Sequence, residues 1–279
     1  MLRRLGNKTK LLPKLLSLFP EDIKTFIDVF MGSGAVTFAM IPRAKYIVAN
    51  DNDDEVFNLF MIVKNRKAEL VESITKMPIH EHLFKYWKTQ QEYDKIWRAA
   101  RFLLLSNFGV LGKPNTLNCG VGNDKTILLQ NIDRVFPLLE HIKFVCCDFR
   151  EVLEKISFRH PQREKPRVFI YADPPYLGTD NNYQNSFTEK DTEELFELLV
   201  TSDMRFAISE FNTPKVLDLA QVYHLNIFEI GERRNINNRR TEILITNYQP
   251  IQRQSSLFKG YELTDGRRTW NYLKKQLTD

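Results

Sequence analysis

Short, almost uninterrupted apolar runs recur along this chain, separated by longer stretches in which apolar positions return every three or four residues. Runs of that kind suit strands buried on both faces, and the stretches between them suit helices packed on those faces. The pattern predicts strands at 26–30, 45–50, 143–147, 168–172, 205–209 and 226–230, with 242–248 as the return strand of a hairpin tipped by Asn235-Ile236-Asn237-Asn238. Helices are predicted over the first leucine-rich stretch, with Thr9 as a candidate cap, and from Ser33, from Glu55, over 99–106, from Glu189 behind Thr188, and over 213–224.

The alternation stops between Ile74 and His141, where Trp87, Tyr93 and Trp97 and a polar, glycine-rich stretch from Asn107 to Lys125 replace it. A long irregular loop inside an α/β domain is uncommon unless it has a task. The expected division is a discontinuous core over 1–73 and 142–250, an inserted helical recognition subdomain over 74–141, and a tail over 251–279.

Composition narrows this picture only a little. A chain of 279 residues that is 43% hydrophobic can bury a full core, and no apolar run is long enough to span a membrane. The basic, leucine-rich start is interrupted by Lys14 and followed by no small-residue cleavage site, so it reads as the first helix. Cys119, Cys146 and Cys147 lack metal or disulfide spacing and are expected as buried thiols in a reducing compartment. His80 and His82 lack a partner cluster, so no metal site is expected. The net charge of +5 is mild, yet Arg233, Arg234, Arg239 and Arg240 crowd one hairpin, where they can meet phosphates or remain solvated.

The candidate chemistry lies at strand ends. Asp173-Pro174-Pro175-Tyr176 follows the run 168–172, and two prolines make a stiff exit that holds Asp173 at the carboxyl end of the strand. In open α/β sheets ligands bind at that edge. The Asp173 carboxylate and the Pro174 carbonyl can each accept one hydrogen of an exocyclic amine, localising a lone pair otherwise spread into a heterocycle. Tyr176 can stack on the base. Gly32 and Gly34 after the first strand allow close backbone approach to a ligand, and Asp51 at the tip of the second strand stands where a β-α-β unit meets ribose hydroxyls or caps the next helix. Asp148 and Phe149 reach the same edge, where they suit an adenine ring.

In this order the pieces resemble the Dam-type (D12 class, alpha group) DNA N6-adenine methyltransferases, through Gly6-Asn7-Lys8, Asp28 to Gly34, Asn50-Asp51, the stretch from Ala99 to Gly122, Asp148-Phe149, Asp173 to Tyr176, and Glu242 to Tyr248. The resemblance implies a class I methyltransferase fold and transfer from S-adenosylmethionine to adenine N6 in double-stranded DNA, with the base flipped out of the duplex. It implies cofactor contacts from Arg4, Lys8, Asp28, Phe30, Gly32, Gly34, Asp51, Asp148, Phe149 and Asp173, with Asp173, Pro174, Pro175 and Tyr176 catalytic and no metal. DNA contacts are expected from Lys113, Asn115, Arg233, Arg234, Asn237, Arg239 and Arg240. The expected location is the cytoplasm of a bacterium or the host of a phage, and a cognate restriction endonuclease is a possible partner. Two other activities compete: a cytosine-N4 methyltransferase shares the amine geometry, and a nicotinamide-dinucleotide oxidoreductase would account for Gly32, Gly34 and Asp51 but not for the arginine hairpin.

Overall fold

A computed structural model of the chain describes residues 8–110, 113–117, 125–177, 187–235 and 238–250, with the backbone alone at 110, 113–116, 233–235 and 238–239. Nine strands run in chain order: β1 (Thr25–Asp28), β2 (Tyr46–Asn50), β3 (Gly109–Val110), β4 (Lys113–Leu117), β5 (Ile142–Val145), β6 (Val168–Ala172), β7 (Arg205–Phe211), β8 (Asn226–Asn235) and β9 (Asn238–Thr246). Seven of them form one sheet in the order β5-β2-β1-β6-β7-β9-β8, and β3 and β4 form a separate small hairpin. All pairings from β5 across to β7 are parallel, whereas β9 runs antiparallel to both β7 and β8. This is the class I methyltransferase arrangement that the resemblance implies.

The central strands are apolar on both faces because both faces are covered. Phe26, Phe169 and Tyr171 belong to one cluster with Leu15, Phe60 and Leu103, while Ile27, Ile170 and Ile208 belong to another with Leu195 and Phe196. The helical stretch after β2 shares the first cluster through Phe84, Trp87, Ile96 and Leu104. Removing one of these fully buried rings costs about 3–5 kcal/mol, so the positions of the strand tips are fixed by packing on both sides.

Several boundaries differ from the sequence expectation, each for a local reason. The first helix is Leu12–Leu18 with Pro13 in its first turn, so Thr9 lies in a preceding 3₁₀ turn and Leu11 takes the cap position. The third strand of the expected set, β5, ends at Val145, and a short unforeseen helix, Phe149–Glu154, starts behind Asp148 as its N-cap. Cys146 and Cys147 are consequently only half-buried. The helix at Glu189–Thr201 begins as expected, with reciprocal bonds between Thr188 and Asp191. β7 continues two residues beyond Ser209 because Glu210 is buried inside it.

Among the described residues no helix is long and apolar enough to cross a membrane, and no group of three or more His, Cys, Asp and Glu side chains is placed to hold a metal ion.

Candidate active site

The carboxyl ends of β1, β2, β5, β6 and β7 bring the candidate residues to one edge of the sheet. On one side, β1 gives way to a turn in which Gly32 and Gly34 have φ of +52° and +78°. A side chain at Gly34 would also collide with the Phe38 ring at 2.8 Å, whereas nothing lies within 4 Å of a side chain added at Gly32. Open space over a left-handed backbone is what close approach of a ligand requires. Asp51 organises the turn: its Oδ2 accepts from the Gly32 N–H at 2.7 Å and its Oδ1 from the Asp53 N–H at 2.9 Å. Asp53 in turn caps the following helix by accepting from Glu55. The cap expected near Asp51 is thus one residue pair further on, and Asp51 faces the glycine turn.

Asn50, named in the sequence only as part of the second strand and the Asn50-Asp51 match, ties three strand tips together. Its Nδ2 donates to the carbonyls of Val29 and Cys147, both at 3.0 Å, and its Oδ1 accepts from the Cys147 N–H at 3.1 Å. Asp28 lies beneath the turn, 1% exposed, with Oδ2 accepting from the Thr37 hydroxyl at 2.6 Å. Burial, with smaller contributions from the charges of Asp173 and Asp51, pushes its carboxyl up to about 7 against the pull of the Thr37 bond.

Asp148 and Phe149 stand at the tip of β5. The Asp148 carboxylate accepts from the Arg150 backbone at 3.0 Å and from its guanidinium at 3.1 Å, and the same guanidinium reaches Asp191 at 2.5 Å and also Glu194. Burial alone would lower the Arg150 pKa, but these carboxylates outweigh it and raise it. Phe149 forms a triangle of rings with Phe30 and Phe187, each pair of centroids 5.8 Å apart. Phe187, just before the Thr188 cap, was not foreseen, and only its place behind the motif loop hints at it.

On the other side Asp173 follows β6 directly. Lys8 pairs with it, Nζ to Oδ1 at 2.7 Å, and the same ammonium lies 4.7 Å from the centre of the Tyr176 ring. Lys8 itself is 4% exposed. Tyr176 is enclosed and meets Phe211 edge to face at 4.5 Å; the Arg240 guanidinium lies 5.4 Å from the centre of the Phe211 ring. Burial, followed by the charges of Asp173 and Glu242, raises the Tyr176 hydroxyl well above its ordinary value. Two further buried acids, Glu210 on β7 and Glu242 on β9, complete this side.

The arginine hairpin is formed by β8 and β9, with Arg233 opposite Arg240 and Arg234 opposite Arg239. Arg4 and Asn237 lie outside the described residues, and of Lys113, Asn115, Arg233, Arg234 and Arg239 only the backbone is described. The donor set on the first side, a glycine turn, carboxylates at two strand tips and phenylalanine rings, fits a nucleoside carrying a cationic amino-acid chain.

The D12 class N6 adenine-specific DNA methyltransferase family model matches residues 5–236. The type II methyltransferase M.MjaIII of Methanocaldococcus jannaschii is 23% identical, with 92% of this chain and 87% of that protein covered. M1.LlaDCHI of Lactococcus lactis subsp. cremoris is 24% identical over 87% of this chain and 93% of its own, and the retron Ec67 DNA adenine methylase of Escherichia coli is 27% identical over 71% of each. Among solved structures, an rRNA methylase from Streptococcus thermophilus superposes with a TM-score of 0.38 at 10% identity, covering 89% of this chain and 99% of that one. Family, topology and the position of the motif agree, and the chain belongs to the D12 class of N6 adenine-specific DNA methyltransferases.

Proposed function

We propose that Asp173, Pro174, Pro175 and Tyr176 carry the transfer of a methyl group to adenine N6 that defines this class, acting on a base rotated out of the duplex. The observation that carries the assignment is topological: the motif leaves β6 at the same sheet edge, and next to the same strand, as the Gly32 turn that Asp51 organises. The Asp173 carboxylate and the Pro174 carbonyl take the two amine hydrogens, which localises the lone pair and aims it. Tyr176 supplies a face for the base, and Phe211 braces its ring from the edge. An adenine paired and stacked in duplex DNA cannot present N6 in this way, so it must leave the stack.

S-adenosylmethionine supplies an electrophilic methyl group. The residues suited to hold it are the Gly32-Gly34 turn and Lys8 with Arg4 at the methionine end, Asp51 at the ribose, and Asp148, Phe149 and Phe30 at the adenine; Asp28 acts from beneath the turn. Arg150 keeps the Asp148 carboxylate oriented. Arg233, Arg234, Asn237, Arg239 and Arg240 on the hairpin, with Lys113 and Asn115, are assigned to the DNA, and the segment 74–141 to recognition of its sequence. Restriction-modification relatives favour a cognate endonuclease on the same site, and a DNA substrate favours the cytoplasm.

Expressing the chain in a host whose DNA carries no methylation, followed by modified-base sequencing, tests the assignment. N6-methyladenine at one recurrent sequence is expected in the wild type and none in Asp173→Ala. N4-methylcytosine instead would move the chain to the competing activity, and methylated DNA from Asp173→Ala would remove the clamp assignment.

A further inference from the structure

Glu210 is a buried acid that neither the sequence motifs nor the proposed transfer uses. The register pairs Ala172 with Ile208, so Glu210 stands two residues further along β7, level with the place where the motif leaves β6. It is 1% exposed. Its Oε1 accepts from the Phe211 backbone at 2.9 Å, the Leu177 N–H is directed at the same carboxyl, and among the described residues its Oε2 has no hydrogen-bond partner. A glutamate is rarely enclosed so fully, and an apolar side chain would fill the site without the desolvation cost. The carboxyl therefore does something that packing alone does not.

We propose that Glu210 is a positioning residue for the base clamp: its carboxyl joins the exit of the motif at Leu177 to the tip of β7 at Phe211, and so fixes the edge-to-face angle of Phe211 on Tyr176. The inference rests on the assignment of Asp173 and Tyr176 to the base. Tyr176 and Leu177 are consecutive, as are Glu210 and Phe211, so one group holds both rings through the backbone on either side. The titratable and charged groups around it are Asp173 and Tyr176 from the β6 exit, Lys8 from the N-terminal turn and Glu242 from β9. Burial first, and the charge of Asp173 next, push Glu210 up to about 8, against the two backbone N–H groups and the Lys8 charge. At neutral pH it thus works as a neutral group beside the Lys8–Asp173 pair. Ionisation adds a second negative charge beside that pair and disturbs the clamp.

The test compares Glu210→Gln, Glu210→Ala and Asp173→Ala in single-turnover methyl transfer across pH, with cofactor and DNA titrations on each. Glu210→Gln keeps the acceptor oxygen and cannot ionise. It is expected to turn over within about threefold of wild type at neutral pH and to lose the alkaline fall in rate near pH 8, while Glu210→Ala loses about tenfold or more in rate with cofactor affinity unchanged. Should Glu210→Ala fail to fold, the pH profile of Glu210→Gln decides the matter by itself. Wild-type rates in Glu210→Ala, a Gln variant as slow as the Ala variant, or an alkaline limb unchanged in Glu210→Gln each overturn the proposal. An active Asp173→Ala would instead remove the clamp assignment beneath it, a result visible separately from any of these.

Discussion

The two halves of the sheet edge treat their polar groups in opposite ways. Around β1 and β2 the side chains are engaged: Asp51 spends both oxygens on backbone N–H groups, and Asn50 spans three strand tips with three hydrogen bonds. Around β6, β7 and β9 acids crowd together: Asp173, Glu210 and Glu242 lie near Tyr176, and Lys8 pairs with Asp173. A satisfied network holds a shape, whereas acids gathered in a low dielectric favour a retained proton or a cation beside them, as with the neutral Glu210 and the Lys8–Asp173 pair. On the proposed assignment the first half presents a rigid surface to a nucleoside, and the second accepts the hydrogens of an amine.

This contrast is most readily broken at Asp173. Its side chain is 19% exposed at a strand tip, so Asp173→Ala leaves little cavity and a folded protein. Loss of one preorganised acceptor typically costs about 10² to 10³ in rate, and more where the group also orients the nucleophile. The rate of transfer is expected to fall by at least that factor with DNA affinity retained; a drop that appears only in cofactor affinity would erase the distinction between the halves. Asp51→Ala should give the opposite signature. Freeing the N–H groups of Gly32 and Asp53 removes two hydrogen bonds to a charged acceptor, each worth roughly 1.5–3 kcal/mol, so cofactor KM should rise about 10- to 100-fold or more while kcat at saturation changes little.

The ease with which the sequence discloses each half follows the same division. β6, the glycine turn and Asp51 are legible because contiguous apolar runs, paired glycines and a double proline are local signals. Glu210 is illegible for a physical reason: a charged residue in a strand reads as its end, so β7 is predicted to stop at Ser209, before the residue proposed to brace the clamp. Asn50 is legible as the end of its strand but its bridging role is not, since its partners Val29 and Cys147 lie on other strand tips. Lys8 at Asp173 and Phe211 at Tyr176 join segments that are distant in sequence, and no local pattern announces them.

The pH dependence of stability sharpens the comparison, because each half contains one raised carboxyl. Asp28 is pushed from 3.8 to about 7 and Glu210 from 4.5 to about 8. Each binds its proton more tightly in the folded state, so its contribution is fully present below the ordinary value and is lost as pH rises through the folded one. Stability should therefore decline between about pH 4 and about pH 8, by at most about 1.4 kcal/mol per pH unit for each group. Urea unfolding of Asp28→Asn should show a shallower decline toward pH 7, and Glu210→Gln a shallower one toward pH 8. Identical slopes in the wild type and both variants would mean that neither carboxyl is protonated in the folded protein.

The smallest expected effect concerns the hairpin, where the two halves of the argument meet. Each phosphate neutralised lowers log K by about 0.9 per log unit of salt, so removing one arginine that contacts DNA should reduce the salt slope by about that amount. Arg239 and Arg240 differ in a second respect. Arg240 also lies against Phe211, which lies against Tyr176, so a DNA contact at this point of the hairpin is continuous with the clamp. Arg239→Ala should flatten the salt dependence and leave the single-turnover rate of bound DNA intact. Arg240→Ala should flatten it equally and also slow transfer severalfold, because Phe211 loses the guanidinium beside its ring, a contact worth about 0.5–2 kcal/mol. Unchanged salt slopes in both variants would move the DNA surface to Lys113, Lys125 and the basic linker from Arg159 to Arg167. Equal slopes with equal rates would leave the hairpin on DNA but disconnect it from the clamp, and Phe211 would then be held from the β7 side alone.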